Sequence, residues 1–488
     1  MFCVSLGEQM SEEYDLIIAG GGMAGLAAAL TASKLGIKAI LLDRNKIDEI
    51  GKKTNWGWVC GDAVAKAHLD FVKAHTGTTF SEPEIDKNLN KIYALSPDLE
   101  SKFPFEGEGA ILNRPLFEQK LLQIALKNGI EYEPEFEVEG PIINENAVKG
   151  IYGKNKAKKD VQILGKITID ALGIATTIRR KLPENPYIER NIDIDDIEAT
   201  GRYIYTFKIN HEDKRFYDPD NALIHLNQQI APGGYGWVFP KKNNKINIGL
   251  GVQKTSLELR NKKMNKNSTL QQLLDEYVKS NPVFKDLQLF NEFENGKGFW
   301  SVGVRRQIES LAFNGYLGAG DSMMMPNPVS AGGIGPALSA GILAAECAND
   351  SLNKKEFNLN TLWDYNIRFN EVYGNKTGGL EVFRIYLQSL NNDELNYGMK
   401  NFVTLEEAEA LAYGKPIKLS MANKVKLIIK GAQNIRAFSN LIFAVREISK
   451  MNEIYSRYPK DPAKFENWKK EVKSEIEKVK SKLKPNPI

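Results

Sequence analysis

The sequence predicts an α/β + β fold, in which a Rossmann-type domain is interrupted by an inserted antiparallel sheet and followed by a helical C-terminal region. Three observations lead to this prediction. A strand, glycine turn, helix and strand pattern fills Tyr14 to Asp43, and strand-like segments dominate between Gly201 and Gly251. Residues 351–488 show helical periodicity almost throughout. A βαβ pattern, then a run of strands, then a run of helices is typical of separate α/β, β and helical layers.

The first unit carries a nucleotide-binding pattern. A short apolar run, residues 16–19, is followed directly by the motif GxGxxG and an alanine-rich helix. Gly20 permits the tight turn, Gly22 lets backbone N–H groups approach a pyrophosphate, and Gly25 lets the helix pack closely on the strand. Asp43 closes the second strand about twenty residues later, where an acidic side chain binds a ribose hydroxyl. This stretch therefore predicts a dinucleotide site, and it suits NAD and FAD equally.

The next segment, from Gly51 to His68, combines two tryptophans, a cysteine and three glycines. Such a composition indicates a loop that approaches a planar or charged group. Cys60 is either a small packed hydrophobe or a residue beside a redox cofactor. Asp62 is expected to cap a helix that begins near Ala63.

Two charged residues further along are candidates for ligand contacts. An amphipathic helix within Ile111 to Gly129 carries Arg114 at its start, where the helix dipole disfavours a cation. A partner is therefore expected, either a bound phosphate or a surface carboxylate. Asp321 follows a short strand and precedes a helix starting near Gly335. Its position suits a ribityl or ribose hydroxyl, and the alternative role is a helix cap.

The remaining patterns set the predicted domain limits. Residues 131–170 alternate as strands and end at Asp170, from which a turn leads into a helix carrying Arg179 and Arg180. The predicted ranges are 12–80, 109–190 and 300–350 for the Rossmann-type domain, 81–108 and 191–299 for the sheet domain that would hold substrate, and 351–488 for the helical domain.

Two C-terminal segments each allow two interpretations. The segment Lys424 to Arg446 mixes large apolar and basic residues, so it either packs on the core with a solvated basic face or lies on a membrane surface. The lysine-rich stretch from Lys460 to Lys484 is expected to be a solvated surface helix or a frayed end.

Bulk properties exclude several function classes. A net charge of +4 is too small to indicate nucleic-acid binding, and 42% hydrophobic with 26% charged residues describes a soluble globular protein. Three cysteines form no disulfide framework, which favours a reducing cytoplasm. Four scattered histidines without a CxxC pair predict no zinc site. No stretch is expected to span a bilayer.

Taken together, the motifs resemble the FAD-dependent p-hydroxybenzoate-hydroxylase-like flavoproteins and, within them, the archaeal geranylgeranyl reductases. The wider resemblance rests on the order of GGGMAGLAAA, the Arg114 helix, the turn from Asp170 to Arg180, and GAGDSMMMPNPVSAGGIGPAL. The narrower resemblance rests on NWGWVCGDA, YGWVFP with NIGLGV, LWDYN and LNYGM. It extends from Tyr14 to about Arg457, nearly the whole chain.

The resemblance implies one non-covalently bound FAD. Residues 332–334 would run along the isoalloxazine ring. The cofactor-binding residues that it implies are Gly20, Gly22, Met23, Ala24, Gly25, Asp43, Arg44, Cys60, Gly61, Arg114, Asp170, Gly320, Asp321, Pro328, Gly332, Gly333 and Ile334. Two departures from the family pattern are visible. The usual Asp-Gly turn reads Asp170-Ala-Leu-Gly173, and Met323 and Met324 stand where small residues are common.

The implied activity is saturation of C=C bonds in the geranylgeranyl chains of archaeal membrane lipids or their precursors. Reduced flavin would supply a hydride and an acid a proton. An isolated alkene is a poor hydride acceptor, so protonation must accompany or precede hydride delivery in a dry pocket. The expected substrate walls are Trp56, Trp58, Tyr235, Trp237 and Phe239, with ordinary core as the alternative role for all five, above all for the last two, which alternate on one strand face. The expected catalytic residues are Cys60, Tyr235 and Trp237, and the candidate proton donors are Cys60, Tyr235 or a flavin-bound water.

Other functions remain compatible with the same motifs. The alternative enzyme is an FAD-dependent monooxygenase or halogenase acting on an apolar substrate, and a flavin-binding lipid carrier is the non-enzymatic alternative. The substrate can be a free diphosphate or an ether phospholipid. No second glycine motif for NADPH follows a strand, so a ferredoxin-like electron donor is expected, with NAD(P)H as the alternative. The expected location is cytoplasmic, with peripheral contact at the inner face of the membrane as an option.

Overall fold

The computed structural model describes residues 8–9, 13–52, 60–290, 296–402, 404, 406–407 and 434–488. Its strands, in chain order, are β1 (Glu8–Gln9), β2 (Tyr14–Ala19), β3 (Ala39–Leu42), β4 (Ala63–Ala65), β5 (Ile85–Leu89), β6 (Lys91–Leu95), β7 (Lys102–Glu106), β8 (Gly109–Leu112), β9 (Glu131–Glu133), β10 (Glu137–Asn144), β11 (Ala147–Lys154), β12 (Asp160–Asp170), β13 (Ile197–Ile209), β14 (Asn221–His225), β15 (Gly236–Lys241), β16 (Lys245–Gln253), β17 (Phe284–Leu289), β18 (Lys297–Gly303), β19 (Ala312–Phe313) and β20 (Tyr316–Gly318).

The α-helices alternate with strands at first and then follow one another towards the C-terminus. In chain order they are α1 (Met23–Leu35), α2 (Lys66–Thr76), α3 (Arg114–Lys127), α4 (Thr177–Lys181), α5 (Lys254–Met264), α6 (Leu270–Ser280), α7 (Ile334–Lys354), α8 (Leu359–Val372), α9 (Thr377–Gln388), α10 (Asn392–Asn401), α11 (Ile435–Ser456) and α12 (Phe465–Lys482). None of the described helices is long and apolar enough to cross a membrane.

The first layer is a nine-stranded sheet with a parallel centre. Its main path runs β10-β11-β12-β2-β3-β9, and β20 also pairs with β12. The strands β12, β2, β3 and β9 are parallel neighbours, as is the pair β12 and β20. β3 is buried along its whole length, as expected for a strand covered on both faces. This is the predicted Rossmann-type layer.

The second layer is an eight-stranded sheet in the order β17-β13-β16-β15-β14-β6-β7, with β18 also on β13. All its pairs are antiparallel except β14 with β6, which is parallel. A small third sheet, β4-β8-β5, completes the strands. The predicted fold class is confirmed, while the predicted domain limits stay a prediction.

Two helices from opposite parts of the chain, α1 and α7, pack against each other more closely than ordinary side chains would allow. A Cβ atom on Gly341 would overlap the carbonyl oxygen of Ala24, and it would lie 3.0 Å from the Cβ of Ala27. In the same way, a Cβ on Gly25 would overlap the carbonyl oxygen of Gly20. The missing side chain of Gly341 therefore sets how near α7 comes to α1, and that of Gly25 sets how near α1 lies to the turn after β2.

Buried ion pairs connect the helical region to the rest of the chain. Arg306 donates to Glu381 of α9 over 2.7 Å, and both side chains are buried. Arg384 of α9 reaches Asp196 over 3.1 Å, and Lys480 of α12 reaches the same carboxylate over 3.0 Å. Buried charges are tolerated only when paired, so these contacts specify how α9 and α12 dock.

Two local predictions need correction. Asp62 does not cap a helix, because β4 follows it and Ala65 is the residue before α2. For the stretch from Lys460 to Lys484, the structure shows the surface-helix alternative, and the frayed end is wrong. Its helix α12 buries one face, made of Phe465, Trp468, Val472, Ile476 and Val479. The first ten residues of the predicted Lys424 to Arg446 helix lie outside the described residues.

The α1–α7 contact leads to a stability prediction. We expect Gly341→Val to lower the free energy of unfolding by about 3 kcal/mol, since its side chain overpacks against the Ala24 backbone. The melting temperature of the purified apoprotein measures the effect. A matched control is Gly398→Ala in α10, where the new Cβ would lie 3.7 Å from Phe402, an ordinary van der Waals contact. That control should change stability by no more than about 1 kcal/mol. Equal stability of the two variants would contradict the proposed close approach.

Candidate functional site

A cleft of about 1710 Å³ opens at the carboxyl ends of the parallel strands. The residues that follow β2, β3, β12 and β20 line it, namely residues 20–24, 43–45, 171–175 and 319–321. Carboxyl ends of neighbouring parallel strands meet at one edge, which is where ligands bind in open α/β sheets. The cleft is therefore the expected location for a bound nucleotide.

The turn after β2 forms the floor of this cleft. Gly20 has a φ of +107°, a left-handed conformation that side chains disfavour, and a Cβ there would overlap the carbonyl of Ala171. A Cβ on Gly22 would meet nothing within 4 Å, so the backbone at this position is open to the cleft. Gly22 is also the N-cap of α1, which has no side-chain cap and no acidic residue in its first turn. Uncapped N–H groups at a helix start bind an anion.

Asp43 fixes the turn and faces the cleft at the same time. Its carboxylate accepts the N–H of Gly21 over 2.6 Å and the N–H of Asn45 over 2.8 Å. Burial raises its pKa, against the lowering effect of those two backbone donors. Neighbouring Arg44 is exposed at the cleft wall.

Arg114 has a carboxylate partner in its own helix. Its Nε donates to Glu118 over 2.6 Å, one turn along α3, and both side chains are nearly buried. The partner is thus a buried carboxylate rather than a surface one. Both residues line the cleft, so the guanidinium also faces the space in which a phosphate would lie.

Asp321 lies half-buried on the opposite wall. Burial raises the pKa of its carboxyl group to about 6, partly opposed by Arg114. Among the described residues, no side chain or backbone group donates a hydrogen bond to this carboxylate. A carboxylate in that environment fits a ligand hydroxyl, which could donate the missing bond. The bulky Met323 and Met324 are fully buried and do not line the cleft, because they pack against Gly318 and Gly303.

Asp170 lies beneath the cleft wall instead of in it. Its buried carboxylate accepts hydrogen bonds from Thr176 Oγ1 over 2.6 Å and from the Tyr316 hydroxyl over 3.1 Å. It also accepts the N–H groups of Leu172 and Arg179, both over 3.2 Å. Asp170 therefore holds the shape of residues 171–175, which do line the cleft.

Most of the predicted cofactor residues converge on this cleft. Those that line it are Gly20, Gly22, Met23, Ala24, Asp43, Arg44, Cys60, Arg114, Gly320, Asp321, Gly333 and Ile334. Gly25, Gly61, Asp170 and Gly332 are not among its lining residues, and Pro328 lines a different cavity. An uncapped helix start, a buried cation and two carboxylates spaced along one cleft fit the phosphates and hydroxyls of a dinucleotide.

That second cavity is open to solvent, measures about 1150 Å³ including its open mouth, and is lined mainly by apolar side chains, many of them from α9 and α10. The loop of residues 326–333 separates it from the cleft. Pro328 and Val329 line the cavity, whereas Pro326, Ala331 and Gly333 line the cleft. The Tyr235 hydroxyl, on the cavity side, donates a hydrogen bond to the carbonyl of Ser330 in this loop. A polar cleft and an apolar cavity thus share one thin wall.

A hydrogen-bonded group surrounds Cys60 at the cleft. Asn247 donates to the Cys60 carbonyl over 2.8 Å and to the Asp62 carboxylate over 3.1 Å, while Trp237 Nε1 donates to Asn247 over 2.9 Å. Burial raises the pKa of the Cys60 thiol, with Arg114 opposing. The side chain is therefore a neutral thiol near pH 7. The role of Asn247 as the centre of this group was not predicted, although it lies in a motif that the sequence had singled out.

The predicted substrate walls separate into different environments. Tyr235 lines the apolar cavity, and Trp56 and Trp58 lie outside the described residues. Trp237 and Phe239 are buried in a small apolar cluster with Ile111 and Ile224. They line neither the cavity nor the cleft. Phe239 packs so closely under Gly61 that a Cβ there would lie 2.5 Å from its ring. These two residues support the Cys60 loop from below.

Family models identify the class of protein. A model of the FAD binding domain matches residues 15–58, and a model of the geranylgeranyl reductase catalytic domain matches residues 196–292. The first match contains the glycine turn and Asp43, and the second contains β13 to β17. The molecule is therefore an FAD flavoprotein with a geranylgeranyl reductase catalytic domain.

Similar chains narrow the class to a family. The chain is 33% identical over 468 residues to a digeranylgeranylglycerophospholipid reductase of Sulfolobus acidocaldarius, covering 94% of this chain and 96% of that protein. It is 25% identical to digeranylgeranylglycerophospholipid reductase 1 of Methanococcoides burtonii, covering 79% and 87%. The chain belongs to the digeranylgeranylglycerophospholipid reductase family.

Solved structures share the fold at lower identity. A geranylgeranyl bacteriochlorophyll reductase-like protein from Thermoplasma acidophilum superposes with a TM-score of 0.69 at 20% identity, covering 90% of this chain and all of that one. A myxobacterial chondrochloren halogenase superposes with a TM-score of 0.60 at 16% identity, covering 91% and 97%. At these identities the two superpositions show a shared fold.

Asp321 leads to a prediction about how the stability of the apoprotein depends on pH. Its folded-state pKa of about 6 exceeds the ordinary value of 3.8, so ionisation penalises the folded apoprotein. The penalty is absent below about pH 4 and complete above about pH 6. We expect Asp321→Asn to stabilise the apoprotein by about 1–2 kcal/mol at pH 8, with no gain at pH 4. The same change should weaken FAD binding by roughly 10- to 100-fold, because a charged acceptor is lost.

Thermal unfolding at the two pH values and a flavin fluorescence titration measure these effects. As a control, Asp48→Asn at an exposed residue should alter neither the stability nor the FAD affinity. A variant that is destabilised at pH 8, or that binds FAD as tightly as the unmodified protein, would contradict the assignment.

Proposed function

We propose that this protein is an FAD-dependent reductase that saturates C=C bonds in the geranylgeranyl chains of archaeal isoprenoid lipids or their precursors. The observation that carries the proposal is the shared wall between the polar cleft and the apolar cavity. Residues 326–333 bring a cavity suited to a hydrocarbon chain next to a cleft suited to a dinucleotide. A flavin in the cleft and an alkene in the cavity could therefore be brought into contact where the two spaces adjoin at this loop.

We assign the parts of the cofactor to the groups in the cleft. The turn from Gly20 to Gly22 and the start of α1 would hold the pyrophosphate, and Asp43 the adenosine ribose. Arg114 would lie near the phosphates, and Asp321 would accept a ribityl hydroxyl. Residues 332–334 would follow the flavin ring, since the two glycines permit a planar group to lie against the backbone.

When bound, reduced FAD supplies a hydride equivalent. The chain contributes the environment in which an unactivated alkene can accept it. The mainly apolar cavity lining would limit the access of water to any cationic character that develops on the alkene, and an aromatic face such as that of Tyr235 would tolerate such charge. Cys60 remains a candidate proton donor, because its thiol is neutral and lies at the cleft wall.

The names of the relatives support a phospholipid substrate over a free diphosphate. For the electron donor we propose a ferredoxin-like protein, because the sequence carries one glycine fingerprint after a strand and no second one for NADPH. NAD(P)H is the alternative donor, and rapid saturable reduction of the flavin by NADPH alone would favour it.

The central experiment separates the reductase from its alternatives. The flavin of the purified enzyme is reduced anaerobically with dithionite, and a digeranylgeranylglycerophospholipid is added in detergent. We expect reoxidation of the flavin and lipid products heavier by two hydrogens for each bond reduced, measured by absorbance and mass spectrometry. If the lipid leaves the reduced flavin unchanged, the reductase proposal fails. Oxygen-dependent NAD(P)H consumption with a hydroxylated or halogenated product would instead support the monooxygenase or halogenase alternative.

We also propose that α11 touches the membrane surface from which the lipid is drawn. Its inner face is packed, and Leu441 on that helix lines the apolar cavity. On the outer face, Ile435 is 73% exposed and Ile442 44% exposed, with Arg446 exposed nearby. Helix α11 thus lines the cavity with one face and exposes Ile435 and Ile442 on the other. This arrangement is expected at a lipid entrance.

Vesicle sedimentation tests this contact. We expect the double variant Ile435→Asp, Ile442→Asp to bind vesicles of anionic phospholipid at least about ten-fold more weakly, since it replaces inserted apolar area with charge. The control is Ile209→Asp, which alters an exposed isoleucine at the far end of β13. Equal loss of binding in the control, or none in the double variant, would refute the assignment of α11.

A further inference from the structure

Glu198 is a buried acid in the wall of the apolar cavity. It lies on β13, between Gln253 of β16 and Val302 of β18 in the sheet register. Only 5% of the residue is exposed, yet its side chain lines the cavity. Among the described residues, none donates a hydrogen bond to its carboxyl group or forms an ion pair with it. Buried carboxyl groups without such a partner are uncommon and point to a function.

Two glycines make room for this carboxyl group. A Cβ on Gly251 would lie 2.9 Å from Glu198 Oε2, and a Cβ on Gly234 would lie 3.1 Å from the same oxygen. Gly234 also lines the cavity and precedes Tyr235, which contacts the wall between cavity and cleft. The acid therefore has a defined space near that wall.

The charged residues near Glu198 do not form an ion pair with its carboxyl group. Arg384 lines the same cavity, but its guanidinium donates to the Asp195 carbonyl over 3.2 Å and to Asp196 over 3.1 Å. Burial raises the pKa of Glu198 to about 7, with Arg384 opposing. The other titratable groups lining the cavity are Tyr235 and Tyr386, and burial raises the pKa of Tyr386. A substantial fraction of Glu198 is thus a neutral acid near pH 7, facing a hydrocarbon-lined space.

We propose that Glu198 is the proton donor to the alkene. This inference rests on the proposed function and identifies a group that its chemistry requires. The π electrons of the C=C bond form a new C–H bond to the Glu198 proton, and the O–H bond breaks to leave a carboxylate. The other alkene carbon accepts the hydride that the reduced cofactor supplies, and solvent returns the proton to Glu198 after product release. The buried carboxylate would also stabilise positive charge on the reacting carbon.

The geometry favours Glu198 over the other candidates. The Tyr235 hydroxyl proton is directed to the Ser330 carbonyl. Cys60 lines the cleft and is absent from the lining of the apolar cavity in which the hydrocarbon would lie. Among the described residues that line the cavity, Glu198 is the one with a carboxyl group.

The test uses the intact flavoprotein under anaerobic single-turnover conditions. With the flavin reduced by dithionite and a digeranylgeranylglycerophospholipid added, we expect Glu198→Gln to slow flavin reoxidation at least about 100-fold. Lipid affinity and the flavin spectrum should change less than about two-fold, because the amide has the same shape. Glu198→Asp should retain partial activity. For the unmodified enzyme and the Asp variant, the rate should fall as pH rises through neutrality, whereas the residual rate of the Gln variant should not.

A second readout is independent of turnover. Infrared difference spectra of the oxidised enzyme should show a protonated carboxyl band that disappears as pH rises through about 7, and Glu198→Gln should lack it. Glu258→Gln is the matched control, since it makes the same change at an exposed residue of α5, and it should preserve both the rate and the band.

The outcomes separate the two proposals. If the unmodified enzyme does not reduce the lipid, the proposed function fails, whatever the infrared result. If it does and Glu198→Gln retains the rate, or loses lipid binding together with the rate, the proton-donor role is overturned. An unmodified enzyme without the titrating band would also overturn it.

Discussion

The close approach of α1 and α7 is the constraint on which the candidate site depends. These helices come from opposite parts of the chain, and Gly341 lets α7 lie directly on the backbone at Ala24. Because α7 follows the loop that carries Asp321, this contact brings that loop over the glycine turn. A Cβ on Gly320 would lie 3.1 Å from the Cβ of Ala24. The glycine turn and the loop that carries Asp321 are therefore joined by close packing, where larger side chains would have little room.

A network of buried charges positions the helices that line the apolar cavity. Helices α9, α10 and α11 supply much of its lining, and α9 is anchored by Glu381 and Arg384. An uncompensated charge in this network would be costly, so the ion pairs restrict how α9 can dock. The cavity wall consequently depends on these ion pairs, one of whose members, Arg384, also lines the cavity.

The contrast between Asp196 and Glu198 shows how position decides acidity. These carboxyl groups are two residues apart in sequence, and both are buried. Burial alone would raise the pKa of Asp196. Arg384 and Arg305 nevertheless hold this pKa well below its usual range. Glu198 lacks such contacts, and burial raises its pKa to about 7. One acid thus serves as a permanent anion in an ion network, and the other retains a proton near neutrality. Paired acids with opposite shifts often divide structural or catalytic roles in this way.

Local patterns in the sequence determined the fold class, the glycine turn and the order of the sheets, because turns and strand periodicity depend on residues a few positions apart. The partners of side chains depended on segments far away in the chain. Only the tertiary structure decided that Trp237 and Phe239 are core, that Arg114 pairs with a buried glutamate, and that Glu198 faces a cavity. No spacing rule could reveal Glu198, since a single acid in a strand looks like an edge residue until two glycines and a helix enclose it. Burial and pairing are properties of the assembled layers, and they decide what each side chain can do.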